Sequence, residues 1–192
     1  MRFILVFTFV ILGCFIASPM RAEEMTVSQA YQALSHPRTQ FSVSYAKMSE
    51  QESKYLDHLF FVTDLAFRER MMMLHAFRAG TGDVYIKVYN KEVSNLLGSF
   101  EFIDPPTELL EQVEELVVGS INEQREFFNI WDNARGTEKY QKLMKNVASH
   151  KYVQSSHQKL IQAYSILQQT YTQEIPHNQQ AFYDHLCALD FL

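Results

Sequence analysis

Asp64, Arg68 and His75 share one side of a helix-forming stretch, and their types and spacing suit them to anion recognition. Asp64 and Arg68 stand at the i,i+4 spacing of a helix ion pair. In that arrangement Asp64 holds the guanidinium in place, Arg68 receives a carboxylate or phosphate, and His75 supplies a second donor. The same seam carries Asp57, Phe61 and Met71. It reads either as a solvated face with a few apolar intruders or as a polar site on a helix packed on both sides. A second candidate surface is the irregular arm over residues 35–48. There His36-Pro37-Arg38-Thr39-Gln40-Phe41 combines polar groups with one aromatic anchor, and His177 to Phe182 echoes it weakly.

Arg70 falls near the centre of the apolar stripe of that helix. An unpaired buried guanidinium is very costly, so Arg70 requires a carboxylate partner or a route to solvent. His75, His150 and His157 are the histidines that different helices could bring to one metal ion. His150 and His157 alone cannot share an ion, because seven helical residues separate them by roughly 10 Å along the axis, against metal–nitrogen bonds of about 2 Å. The chain has no uninterrupted E-x-x-H on a helix, since Pro176 lies between Glu174 and His177. It also has no C-x-x-C-H, no phosphate-cradling glycine loop and no G-x-S-x-G elbow. Cys187 and His185, two apart, diverge on a helix and form no nucleophile and base; Cys187 reads as a small buried apolar group. No cofactor is expected.

The elements that must position these residues are helical. Ser49-x-x-Glu52 is a capping box, and from there to Gly80 runs a helix with Tyr55, Leu56, Leu59, Val62, Ala66, Phe67, Met73, Leu74 and Phe77 on one wide face. Thr26-x-x-Gln29 opens a short helix through Leu34 that Pro37 prevents from continuing. Residues 83–97 mix a strand alternation at Val84, Ile86 and Val88 with helical spacing at Tyr85, Tyr89, Val93 and Leu96; helix is favoured because Asn90 to Leu97 lacks strand character.

Thr107 caps a helix to about Ala134, with Leu110, Val113, Val117, Gln124, Phe128 and Trp131 inward. Its acidic run, Glu108, Glu111, Glu114 and Glu115, sits where the helix dipole favours negative charge and reads as a solvated face. Gly119-Ser120 in mid-helix points to a bend or to the close approach of a neighbour. Thr137 starts a further helix to Tyr171 with a possible break near Ser149, and its inward seam includes Asn146, His150 and His157. Asn178 begins a terminal helix with Phe182, Leu186 and Leu189 inward. The expected fold is an all-α antiparallel bundle of about four main helices with short helices at both ends.

Arg2, the apolar run Phe3 to Gly13 and Met20-Arg21-Ala22 have the layout of a secretory leader over residues 1–22. The alternative is lipid attachment at Cys14, although Leu12 and the apolar residues after the cysteine suit it poorly. Residues 23–192 then form a single domain, exported to a periplasmic or secreted location, with no transmembrane helix expected in it. With Arg2 and Arg21 removed, 15 basic residues face 22 acidic ones, a formal charge of −7. No basic cluster exists to neutralise phosphates, which argues against nucleic acid. Without catalytic signatures, the expected role is a non-enzymatic binding or interaction module for another envelope protein or a small anionic ligand. A metal- or cofactor-binding bundle and an inhibitor of a secreted enzyme are the alternatives.

Overall fold

The computed structural model describes residues 24–191, so the expected leader and Cys14 lie outside the described residues. Within them the chain forms seven α-helices and no strand, packed together as a helical bundle. Among the described residues no helix is long and apolar enough to cross a membrane.

Local chemistry sets most of the boundaries. Helix α1 (Val27–Leu34) opens on its capping box, the Gln29 N–H donating to Thr26 Oγ1 at 3.2 Å and the Thr26 N–H to Gln29 Oε1 at 2.7 Å. The arm follows, with one 3₁₀ turn at Val43–Tyr45. Helix α2 (Glu50–Arg78) begins on the Ser49/Glu52 box. It ends where Gly80 takes φ of 77°, a left-handed turn that lets the Thr81 N–H reach back to the Ala76 carbonyl at 2.9 Å. The ambiguous segment is helical as favoured, α3 (Gly82–Gly98). The connector after it is a 3₁₀ turn, Ser99–Phe102. Helix α4 (Glu108–Asn133) is capped by Thr107, which accepts the Leu110 N–H at 3.2 Å.

The break near Ser149 is real and divides the next segment into α5 (Glu138–Lys145) and α6 (Lys151–Thr170), joined by a 3₁₀ turn at Val147–Ser149. His150 therefore leaves the inward seam and becomes the N-cap of α6, its Nδ1 accepting the Tyr152 N–H at 3.4 Å. Asn146 is exposed for the same reason. Thr137 does not cap α5; its hydroxyl turns back to donate to the Ala134 carbonyl at 2.5 Å. The last helix, α7 (Pro176–Leu189), starts at Pro176 rather than Asn178. Proline is well suited to a first helical position, where its missing N–H would have had no partner.

Helix α2 packs against α1, α3, α4 and α7, while α4 lies along α6. At that second contact Ser120 is fully buried and hydrogen-bonds Ser156 at 2.7 Å. A Cβ on Gly119 would meet Lys159 Cε at 3.0 Å, so the mid-helix Gly-Ser marks the close approach of a neighbour. The α2 stripe is buried as its spacing predicts, except that Leu74 is only partly so. The acidic run on α4 is not wholly solvated: Glu114 is half-buried and accepts a short hydrogen bond from Tyr55. Cys187 is likewise half-buried rather than buried.

Arg70, at 2% exposure, is buried against the end of α7, where the charge of Asp190 favours its cationic form. It donates to the carbonyls of Ala188, at 2.6 Å, and Asp190, at the end of α7. Its guanidinium also lies over the rings of Phe67 and Phe191, at 5.3 and 4.9 Å. The carbonyl end of a helix is partially negative and lacks donors, so a cation there stabilises it. Burial lowers the guanidinium's pKa to about 10.

Candidate functional site

The polar centre of the molecule is Asp64, 2% exposed on α2. Oδ1 accepts from the Tyr31 hydroxyl at 2.7 Å and from His185 Nδ1 at 2.6 Å. Oδ2 accepts both Nε and Nη2 of Arg38, at 3.0 and 2.5 Å. One carboxylate thus ties together α1, the arm, α2 and α7. Burial alone would push the Asp64 carboxyl up, but the hydrogen bonds from His185 and Tyr31 and the charge of Arg38 hold it below the usual carboxylate range. The Tyr31 hydroxyl is pushed well above its ordinary value by burial and by Asp64.

Side chains of α7, with Glu174 just before it, set the arm's course. Asn178, fully buried, accepts the Ser42 N–H at 2.9 Å and donates to the Ser42 carbonyl at 3.1 Å, as a strand neighbour would. Asp184, also fully buried, accepts the Thr39 N–H at 3.0 Å, and Glu174 accepts the Lys47 N–H at 2.8 Å. His36 Nε2 bonds the Asp184 carbonyl at 3.2 Å, and His177 Nε2 bonds the Gln40 carbonyl at 2.8 Å. Phe41 and Phe182 stack with centroids 6.0 Å apart. The two segments that resemble each other in sequence are therefore partners in space.

Arm, α2 and α7 together enclose a cleft of about 390 Å³ lined by Arg38, Phe41, Lys54, His58, Phe60 and His185, with Asp57 and Phe61 also on its wall. Asp64 fills one edge of the Arg38 guanidinium, and Nη1 has no hydrogen-bond partner among the described residues. The Arg38 side chain keeps 30% exposure and Lys54 68%, so both cations reach the cleft's solvent side. Lys54 also bonds Glu50 at 2.5 Å. The His185 ring stacks on Phe60, centroids 4.7 Å apart and planes 12° from parallel. His185 Nε2 and His58 Nε2 are both shut off from solvent with no partner among the described residues.

The residues singled out from the sequence are divided among several places. Asp64 and Arg38 meet in the cluster, and His36 lies at its edge, bonded to the Asp184 carbonyl. Arg68 does not pair with Asp64. It donates to Glu69 Oε1 at 2.6 Å through Nη2 and at 3.1 Å through Nε, with Glu24 at 3.8 Å. Two facts decide this. An i,i+4 pair contributes only a few tenths of a kcal/mol, and Asp64 points inward to stronger partners while Glu69, itself 2% exposed, needs a cation. His75 is exposed near the end of α2 and joins neither group. The Asp64/Arg68/His75 seam is therefore not one site.

His150 packs its ring edge against Phe127 as it caps α6, and burial, with Lys151 and Lys139 nearby, lowers its pKa. His157 Nδ1 bonds the Asp190 carboxylate. The three histidines considered for a metal stand in separate places: His75 near the end of α2, His150 at the start of α6 and His157 within α6. Among the described residues no group of three or more His, Cys, Asp or Glu is placed to hold a metal ion.

Sequence reading missed Tyr31, Lys54, His58 and His185. His185 carries one signal that could have exposed it: on α7 it lies three residues from Phe182 and one from Leu186, both inward, which places an imidazole on a core-facing side. Comparison with protein-family models, with curated proteins and with solved structures finds no match to this chain.

Proposed function

We propose that this chain is an exported, non-enzymatic binding protein that takes a small anionic ligand in the cleft between the arm and α2. The observation that carries the reading is the side-on clamp on Arg38. Asp64 fixes two of its three nitrogens and leaves Nη1 on a cleft that Lys54 also lines. A guanidinium held by a buried carboxylate has already lost much of its side-chain freedom, so less is lost on binding. One charge-assisted hydrogen bond from it contributes about 1.5–3 kcal/mol. Phe41, Phe60 and Phe61 give the same cleft apolar wall for the rest of a ligand. Export is supported by the leader-like residues 1–22, and the acidic balance of the remainder accords with a small ligand rather than a polyanion.

The test is calorimetric titration of the purified protein at low ionic strength with inorganic phosphate, sulfate, acetate and benzoate. Saturable binding of at least one, weakened about tenfold in Arg38→Lys, which keeps the charge but not the fork, supports the reading. If all four leave the protein without binding heat and without a shift in melting temperature, the cleft is not an anion site.

A further inference from the structure

We infer that the cleft takes a small aromatic zwitterion, with a carboxylate at one end, an ammonium at the other and an apolar body between them. This ligand class rests on the anion-binding reading and specifies what that same site holds. Its basis is Asp57. That carboxylate lies on the cleft wall, is exposed, and has no hydrogen bond or ion pair among the described residues. Lys54, three residues before it, bonds Glu50 at 2.5 Å instead.

The charged side chains of the cleft are Arg38 and Lys54 against Asp57 and Asp64, so its lining has no net positive charge to hold a bare anion. What stands open to a ligand is one donor and one acceptor. The donor is Arg38 Nη1, on a side chain 30% exposed whose other two nitrogens are taken by Asp64. The acceptor is the Asp57 carboxylate. An anion on Arg38 alone leaves Asp57 as an unanswered like charge, whereas a ligand with a cation at its far end meets both groups.

Helix α2 fixes the spacing. Asp57 and Asp64 are seven residues apart, which puts them on one face of the helix and about 10 Å apart along its axis. Arg38 stands at the Asp64 end of that interval. With a hydrogen bond of about 3 Å at each end, roughly 4–8 Å is left between the ligand's two charged groups, the reach of one benzene ring substituted at both ends. Phe61 lies midway, four residues after Asp57 and three before Asp64, and is 60% exposed on the same wall. An aromatic body held between the two charges packs against that ring.

Calorimetric titrations at low ionic strength compare para-aminomethylbenzoate with para-toluate, which is close to it in size but lacks the ammonium, and with benzylamine, which lacks the carboxylate. The zwitterion is expected to bind at least about fivefold more tightly than either. Para-toluate binding as tightly as the zwitterion overturns the inference and leaves the anion site standing. Benzylamine binding as tightly, or no binding of any of the three, overturns both. Asp57→Asn alters an exposed residue with no partner to lose, and in that variant the preference for the zwitterion over para-toluate is expected to fall to about one. A preference retained there overturns the assignment of Asp57. Should the variant fail to fold, as judged by its melting curve, the comparison of the three ligands on the unaltered protein decides by itself.

Discussion

Asp64 and His185, 121 positions apart in sequence, meet through a 2.6 Å hydrogen bond at the junction of α2 and α7, and the rest of the candidate site is arranged about that contact. The carboxylate is charged, nearly sealed and fully engaged, with four donors on two oxygens. Its neighbours depend on it as much as it depends on them.

Replacing Asp64 by Asn keeps the shape but removes the charge, leaving Arg38 uncompensated and turning an amide donor toward Tyr31, His185 or Arg38. A buried pair broken on one side costs about 3–5 kcal/mol, and partial exposure of Arg38 places the expected loss nearer about 3. For a chain of this size that corresponds to a fall of roughly 6–12 °C in melting temperature. A change below about 1 kcal/mol in urea unfolding would show that the cluster contributes little to stability.

The same carboxylate sets a pH dependence. Its folded-state pKa lies below the usual value, so its contribution is fully present above the unfolded-state pKa of about 3.9. That contribution is lost as pH falls through the lower folded-state value. Stability measured by urea midpoint is expected to decline below about pH 4, and the decline to be shallower in Asp64→Asn. Parallel acid profiles for the two proteins would assign the acid sensitivity to other carboxylates.

Asn178→Ala removes both hydrogen bonds to Ser42. With two half-buried backbone groups left unpaired, the cost is about 2–3 kcal/mol, and it falls on the arm. Limited trypsin digestion is expected to cut after Arg38 or Lys47 well before any site in α2. Unchanged cleavage kinetics there would mean that Asp184, Glu174 and the Phe41/Phe182 stack hold the arm without Asn178.

Arg70→Lys tests the cap on α7. Lysine keeps a charge but cannot span two carbonyls while lying flat between Phe67 and Phe191, so a loss of about 2–4 kcal/mol is expected. Amide exchange should accelerate most over the last turn of α7. A variant as stable as the parent would show that carbonyl contacts at Ala188 and Asp190 are replaceable by a point charge.

What the residue pattern determined by itself was local. The capping boxes at Thr26 and Ser49, the turn at Gly80 and the α2 stripe follow from contacts within a few residues, and all are present. Gly119-Ser120 pointed to a bend or a close neighbour, because a glycine in mid-helix costs propensity, and the Lys159 side chain supplies the neighbour. Which polar groups meet was decided only in three dimensions. Arg68 stood at ideal spacing from Asp64 yet joined Glu69, because a weak helical pair competes with buried partners brought from 26, 33 and 121 residues away. The arm and α7 likewise became one structure through Asn178 and Asp184, whose partners are backbone groups and leave no mark in side-chain periodicity. Burial then did what no pattern records: it turned His185 from a helix residue of no apparent role into an imidazole oriented by Asp64 and the Phe60 ring.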